Sequence, residues 1–144
     1  MKKIFIIIVV TFCSMLSTKI NAQTYGVPDT LAYLQSIVAN KAQFIGQPFT
    51  KLQDSLKIQV KYFHPTRGVV HNISKETFTD FSFYFPVSAE EMYLTYPALR
   101  IYWQPHLNAT QSNILWESNN GGGWSTAVAN FYANGIITDI KVVE

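Results

Sequence analysis

Between Thr30 and Ile45 apolar residues return every three or four positions: Leu31, Leu34, Val38, Ala42 and Ile45, with Ile37 widening the stripe. That spacing puts them on one side of an α-helix. Pro28-Asp29 opens it, because an aspartate ahead of the first turn accepts from backbone amides that have no partner inside the helix. Gly46 closes it as a left-handed cap. Beyond Gln47-Pro48, the positions of Phe49, Leu52 and Leu56 predict a second helix of about two turns, so the N-terminal part is expected to be a helical hairpin.

From Lys57 the period changes to two. Ile58, Val60 and Tyr62 alternate with Lys57, Gln59 and Lys61, the pattern of a strand with one dry and one wet face. Phe81, Phe83 and Phe85 alternate with Ser82 and Tyr84, and Leu99, Ile101 and Trp103 alternate with Arg100, Tyr102 and Gln104. Between these runs, His64-Pro65-Thr66-Arg67-Gly68 predicts a turn, and Ser88-Ala89-Glu90-Glu91 a capping box that starts one helical turn. A shorter strand is expected over Ile114–Glu117, after a loop from Pro105 to Asn113.

The stretch "WESNNGGGWST", Trp116–Thr126, sets two readings against each other. In one, Ser125 caps a helix and the glycines cradle an anion at its positive end. In the other, Asn134-Gly135 is the two-residue turn of a β-hairpin, since both residues tolerate positive φ. Pairing outward from that turn sets Ala133 against Ile136, Phe131 against Thr138, Ala129 against Ile140 and Ala127 against Val142. The resulting register sorts apolar from polar side chains, which favours the hairpin. The glycines also lack the following lysine and hydroxyl of a nucleotide loop. Asn119–Gly123 is then a connection between strands, and Trp116 and Trp124 pack in the core or at an edge unless they clamp a ligand across the loop.

The expected fold is therefore α+β: an N-terminal helical hairpin on one face of an antiparallel meander of about five or six strands, ending in a C-terminal hairpin. Lys2-Lys3 followed by the apolar run Ile4–Val10 and by Ala22 has the form of a secretory signal peptide, residues 1–22, shorter than a membrane-spanning helix. Residues 23–144 are expected to form one domain, periplasmic or secreted, with no membrane span. The lone cysteine, Cys13, lies in the leader, so the mature chain has no disulfide. Of the 11 Lys and Arg, three (Lys2, Lys3 and Lys19) leave with the leader; eight then face nine Asp and Glu, a net charge of −1. That removes any electrostatic case for nucleic acid.

Catalytic patterns are scarce. His64, His71 and His106 share no metal-ligand spacing, although all three sit in or beside predicted loops and would make a three-histidine zinc site if the fold brought them together. Solvated loop histidines are the commoner case. Glu90-Glu91 do not face each other on a helix and favour its N-terminus instead. No serine stands in a nucleophile elbow, and the mature chain has no thiol. No cofactor is implied, and a small secreted hydrolase, with or without a histidine-bound zinc, is the second reading.

The first reading is a non-catalytic interaction module. If the helices cover one sheet face, the other gathers Tyr84, Arg100, Tyr102, Gln104 and Tyr132, with Lys and Asp among them. Tyrosine and arginine combine contact area with polar reach and are enriched where proteins bury surface on partners, although mixed polar residues also line any wet sheet face. The partner is expected to be a protein or an envelope glycan. An accessory structural protein of the envelope is a third reading.

Overall fold

In a computed structural model of the chain, residues 27–68, 72–84 and 96–144 are described. Signal residues 1–22, the Ser88–Glu91 capping box, Phe85 and His71 lie outside them. The chain runs α1 (Thr30–Ala39), a short 3-10 turn (Lys41–Gln43), α2 (Phe49–Ser55), β1 (Tyr62–Thr66), β2 (Lys75–Ser82), β3 (Ala98–Asn108), α3 (Ala109–Ser118), α4 (Thr126–Tyr132) and β4 (Ile137–Val143). The four strands form one antiparallel sheet in the order β1-β2-β3-β4. The fold is thus α+β as read, with four strands rather than five or six among the described residues.

Both N-terminal helices begin where the sequence placed them, and Asp29 caps α1 by accepting from the Ala32 amide at 3.0 Å, but α1 stops at Ala39 instead of running on through Ile45. They do not pair as a hairpin: α1 packs against β4 instead. Gly46 takes the left-handed φ of 74°, but α1 has already ended at Ala39. The loop after it binds the start of β4, Gly46 N donating to Ile137 O at 2.8 Å and Ile137 N to Gln47 O at 3.0 Å. That contact covers one end of an otherwise open sheet edge.

The second half departs from the expected hairpin. Thr126–Tyr132 is helical, with the Ser125 hydroxyl accepting from the Val128 amide. The competing register failed because a helix sorts the same residues as well: Val128 and Tyr132, four apart, share one buried face. Once α4 forms, β4 is free to pair with β3, Ile140 opposite Ile101 and Val142 opposite Leu99. Ile114–Glu117 is likewise helical, because Asn108 caps α3 by accepting from the Gln111 amide at 3.0 Å. His64, Pro65 and Thr66, expected as a turn, belong to β1, whose pairing with β2 stabilises an extended chain there.

The glycines join two helices, not two strands. Gly121 and Gly122 adopt φ of 75° and 117°. At Gly122 a Cβ would lie 2.5 Å from the carbonyl oxygen of Phe63, whose amide donates to Gly122 O at 2.8 Å. Only glycine lets the turn approach the edge of β1 this closely. α3 and this turn therefore close the free edge of β1.

The core lies on one side of the sheet. Phe63, Phe81, Leu99, Ile101, Trp103, Ile137 and Ile140 project from the strands into a layer made by Leu34, Phe49, Leu52, Val128 and Tyr132. Phe49 and Phe81 stack at 4.7 Å, and Trp103 and Tyr132 at 5.6 Å. Aromatic rings at these separations gain offset-stacked and edge contacts beyond simple burial.

Candidate functional site

Strand pairing decides which side chains share the other face, since directly opposed residues in an antiparallel pair point the same way. His64, Asp80, Arg100 and Lys141 form one row across β1 to β4; Thr66, Phe78, Tyr102 and Asp139 form the next. The core-facing side chains of α1, α2 and α4 lie on the opposite side, while Trp116 of α3 meets His64 edge-on. Arg100 and Tyr102 accordingly stand on the outer face, as their parity required.

Here aromatic rings and charges interleave. Arg100 forms a two-pronged ion pair with Asp80, Nε to Oδ1 at 2.7 Å and Nη2 to Oδ2 at 2.9 Å. Its guanidinium carbon lies 4.2 Å from the centre of the Phe78 ring. Phe78 and Tyr102 meet at 5.3 Å, and Lys141 Nζ lies 5.0 Å from the Tyr102 ring centre. Asp139 accepts from Lys41 and stands 4.0 Å from Lys141. Arg100 and Lys141 thus each lie over a ring, Arg100 held by a two-pronged ion pair and Lys141 more loosely, 4.0 Å from Asp139.

The electrostatics follow from these pairs. The hydrogen bonds to Asp80 raise the Arg100 pKa still further, so it stays charged at any ordinary pH. The hydrogen bond from Lys41 holds the Asp139 carboxyl below its usual range, aided by the Ile140 amide. Arg100 and Asp80 retain 28% and 22% side-chain exposure, which leaves the pair accessible.

The remaining expected site residues fall elsewhere. Tyr132 is a correction: it is fully buried in α4, on the core side. Tyr84 lies past the end of β2, its ring stacked on Tyr96 at 5.2 Å and its hydroxyl donating to Thr30 Oγ1 at 2.8 Å. Gln104 is exposed on β3 just past the last residue paired with β4, its backbone amide donating to Ile136 O at 3.1 Å.

The histidines are not brought together as far as they are described. His64 is level with Arg100, six residues along β3 from His106, on the order of 15–20 Å. His64 lies edge-on to Trp116, and His106 Nδ1 is 3.1 Å from Trp103 O. Among the described residues no group of three His, Cys, Asp or Glu side chains could hold a metal ion. None of their helices is long and apolar enough to cross a membrane.

Sequence reasoning missed a second polar cluster, inside the core. Glu76 is fully buried, and its Oε1 accepts from Thr79 Oγ1 and from the Tyr132 hydroxyl at 2.9 Å, while Trp103 Nε1 donates to Thr79 Oγ1 at 2.8 Å. Ser112 sits beside the same carboxyl, yet Oε2 has no hydrogen-bond partner. Burial raises the Glu76 pKa above its ordinary value of 4.5, against the opposing pull of Ser112, Thr79 and Tyr132. Strict alternation from Thr79 and Phe81 would turn Glu76 outward; the bulge between Glu76 and Phe78 reverses it. No local signal marks that bulge.

Phe78 and Asp80 were missed for a simpler reason, since a phenylalanine on a wet face runs against the polarity pattern. Asp80 becomes conspicuous only once Arg100 is known to lie opposite it. Compared with protein-family models, curated proteins and solved structures, the chain shows no match.

Proposed function

We propose that the chain is an exported, non-catalytic interaction module that binds a protein partner through the outer sheet face. Export rests on the leader Lys2–Ala22, and the domain beyond it needs no disulfide. What supports the binding role is the block of Arg100, Tyr102, Phe78 and Lys141, in which Asp80 holds Arg100 and Asp139 stands 4.0 Å from Lys141. Pre-arranged arginine and tyrosine lose little conformational freedom on association and so make effective anchors. A glycan suits this face less well, because Arg100 and Lys141 already occupy the ring faces a sugar would stack on.

The test is affinity capture from a native cell-envelope fraction, comparing the wild type with an Arg100→Ala/Tyr102→Ser variant of equal stability. A partner retained by the wild type and lost by the variant supports the reading. Equal capture by both, or no specific capture by either, overturns it.

A further inference from the structure

The dipeptide Asn-Gly occurs twice in the chain, as Asn120-Gly121 and Asn134-Gly135. In this pair the asparagine side chain is most open to attack by the next backbone nitrogen, because glycine puts no side chain in the way. The sequence therefore makes the two steps equally reactive. The fold separates them.

Asn120 is exposed and Gly121 half-buried, in the turn between α3 and α4. Asn120 stands at φ 54°, a left-handed conformation that costs free energy in a residue with a side chain. The Gly121 nitrogen donates to Trp116 O at 3.0 Å. Space beside Gly121 is open, the nearest atom to an added Cβ being in the Trp116 ring at 3.6 Å. Opening that one bond, where the end of a helix frays, frees the nitrogen.

Asn134 is also exposed, but Gly135 is buried. Its nitrogen donates to Tyr132 O at 2.8 Å, and its carbonyl accepts from Phe49 N at 2.9 Å. The Trp103 ring lies 3.0 Å from where a Cβ would stand. Freeing this nitrogen means moving the junction of α2, α4 and β3 inside the core.

The chemistry needs only base and water. Once a base takes the Gly121 amide proton, the nitrogen attacks Asn120 Cγ and forms an N–Cγ bond. The Cγ–Nδ2 bond breaks, and the side-chain nitrogen takes up a proton and leaves as ammonia. Water then opens the cyclic imide at one carbonyl or the other, giving aspartate or isoaspartate. The isoaspartate product carries the chain through its side-chain carbon, which lengthens the backbone by a methylene. That extra length falls beside Gly122, whose carbonyl accepts from the Phe63 amide at 2.8 Å, and Gly123, which bridges to Tyr62. These contacts cover the edge of β1.

We propose that Asn120 is a site of spontaneous, imide-mediated deamidation, that the fold shields the same dipeptide at Asn134, and that the isoaspartate product uncovers the edge of β1. Asn120 takes no part in the sheet-face block, so the binding reading can fail without affecting this chemistry.

The test is incubation of the purified protein at mildly alkaline pH, folded and in guanidinium, followed by peptide mapping with fragmentation that separates aspartate from isoaspartate. In guanidinium the two Asn-Gly steps should react at closely similar rates, since sequence alone then governs them. In the folded protein Asn120 should react at least about tenfold faster than Asn134. The isolated isoaspartyl product should exchange its Phe63 amide at least about tenfold faster than the unmodified protein. The aspartyl product, with the same charge and the native backbone length, should keep its protection. Equal rates in the folded protein, faster reaction at Asn134, or an Asn120 that stays intact while the unfolded chain reacts would each overturn the deamidation site. Unchanged exchange at Phe63 in the isoaspartyl product, or equal loss of protection in both products, would overturn the link to β1.

Discussion

The Tyr132 hydroxyl donates to Glu76 Oε1 at 2.9 Å across 56 residues of chain, fastening α4 to β2 inside the core. The bond joins the residue most misplaced by strand parity to the one most misplaced by the bulge. The carboxyl it reaches is fully buried, and burial is also why Tyr132 itself titrates well above 10.

Glu76 makes stability depend on pH in a stated direction. Its pKa is raised on folding, so its contribution is fully present below about 4.5, the unfolded value, and is lost as pH rises through the higher folded value. Denaturant midpoints should therefore fall across that window. Glu76→Gln should flatten the profile and hold the higher midpoint at neutral pH, since an amide still accepts from Thr79 and Tyr132 without a buried charge. An unchanged slope in the variant would show that other groups set the pH dependence.

Tyr132 separates core from surface. Tyr132→Phe keeps the ring packing and removes one hydrogen bond, with an expected cost of about 1 kcal/mol. Tyr132→Ser removes the ring from its contacts with Phe63, Phe81 and Trp103 and should cost about 3–5 kcal/mol. Urea unfolding of the pair measures both; equal, small losses would place Tyr132 at the surface.

Gly122→Ala tests the turn against β1. The substitution imposes a φ of 117° on an alanine and drives its Cβ to 2.5 Å from the Phe63 carbonyl oxygen. A loss of at least about 2 kcal/mol is expected, with faster amide exchange at Phe63. Gly46→Ala meets open space and bears only the strain of its φ, so it should cost less.

Asn108→Ala removes the cap of α3, the helix that replaced the expected strand. The Gln111 amide loses its acceptor, and the cost should be about 1 kcal/mol. Secondary chemical shifts should show fraying confined to the first turn of α3.

Much of this was readable along the chain. The Asp29 cap and the starts of α1 and α2 followed from spacing and turn chemistry, and the burial of Leu99, Ile101 and Trp103 followed from alternation. These signals are local: an amphipathic face three or four residues wide needs no knowledge of its partner. For the same reason Arg100 and Tyr102 alternate with Leu99, Ile101 and Trp103 and point away from the core.

Sequence alone determined the class of fold, its first helices and the parity of β3, because each depends on neighbours within a turn or a strand. Tertiary structure decided what residues 126–132 would be, which way Glu76 points, and that Tyr132 lies in the core rather than on the outer face. In those places two local arrangements sort polarity equally well, and the choice falls to long-range partners: β3 takes β4, a bulge turns one strand, and the core closes around Tyr132.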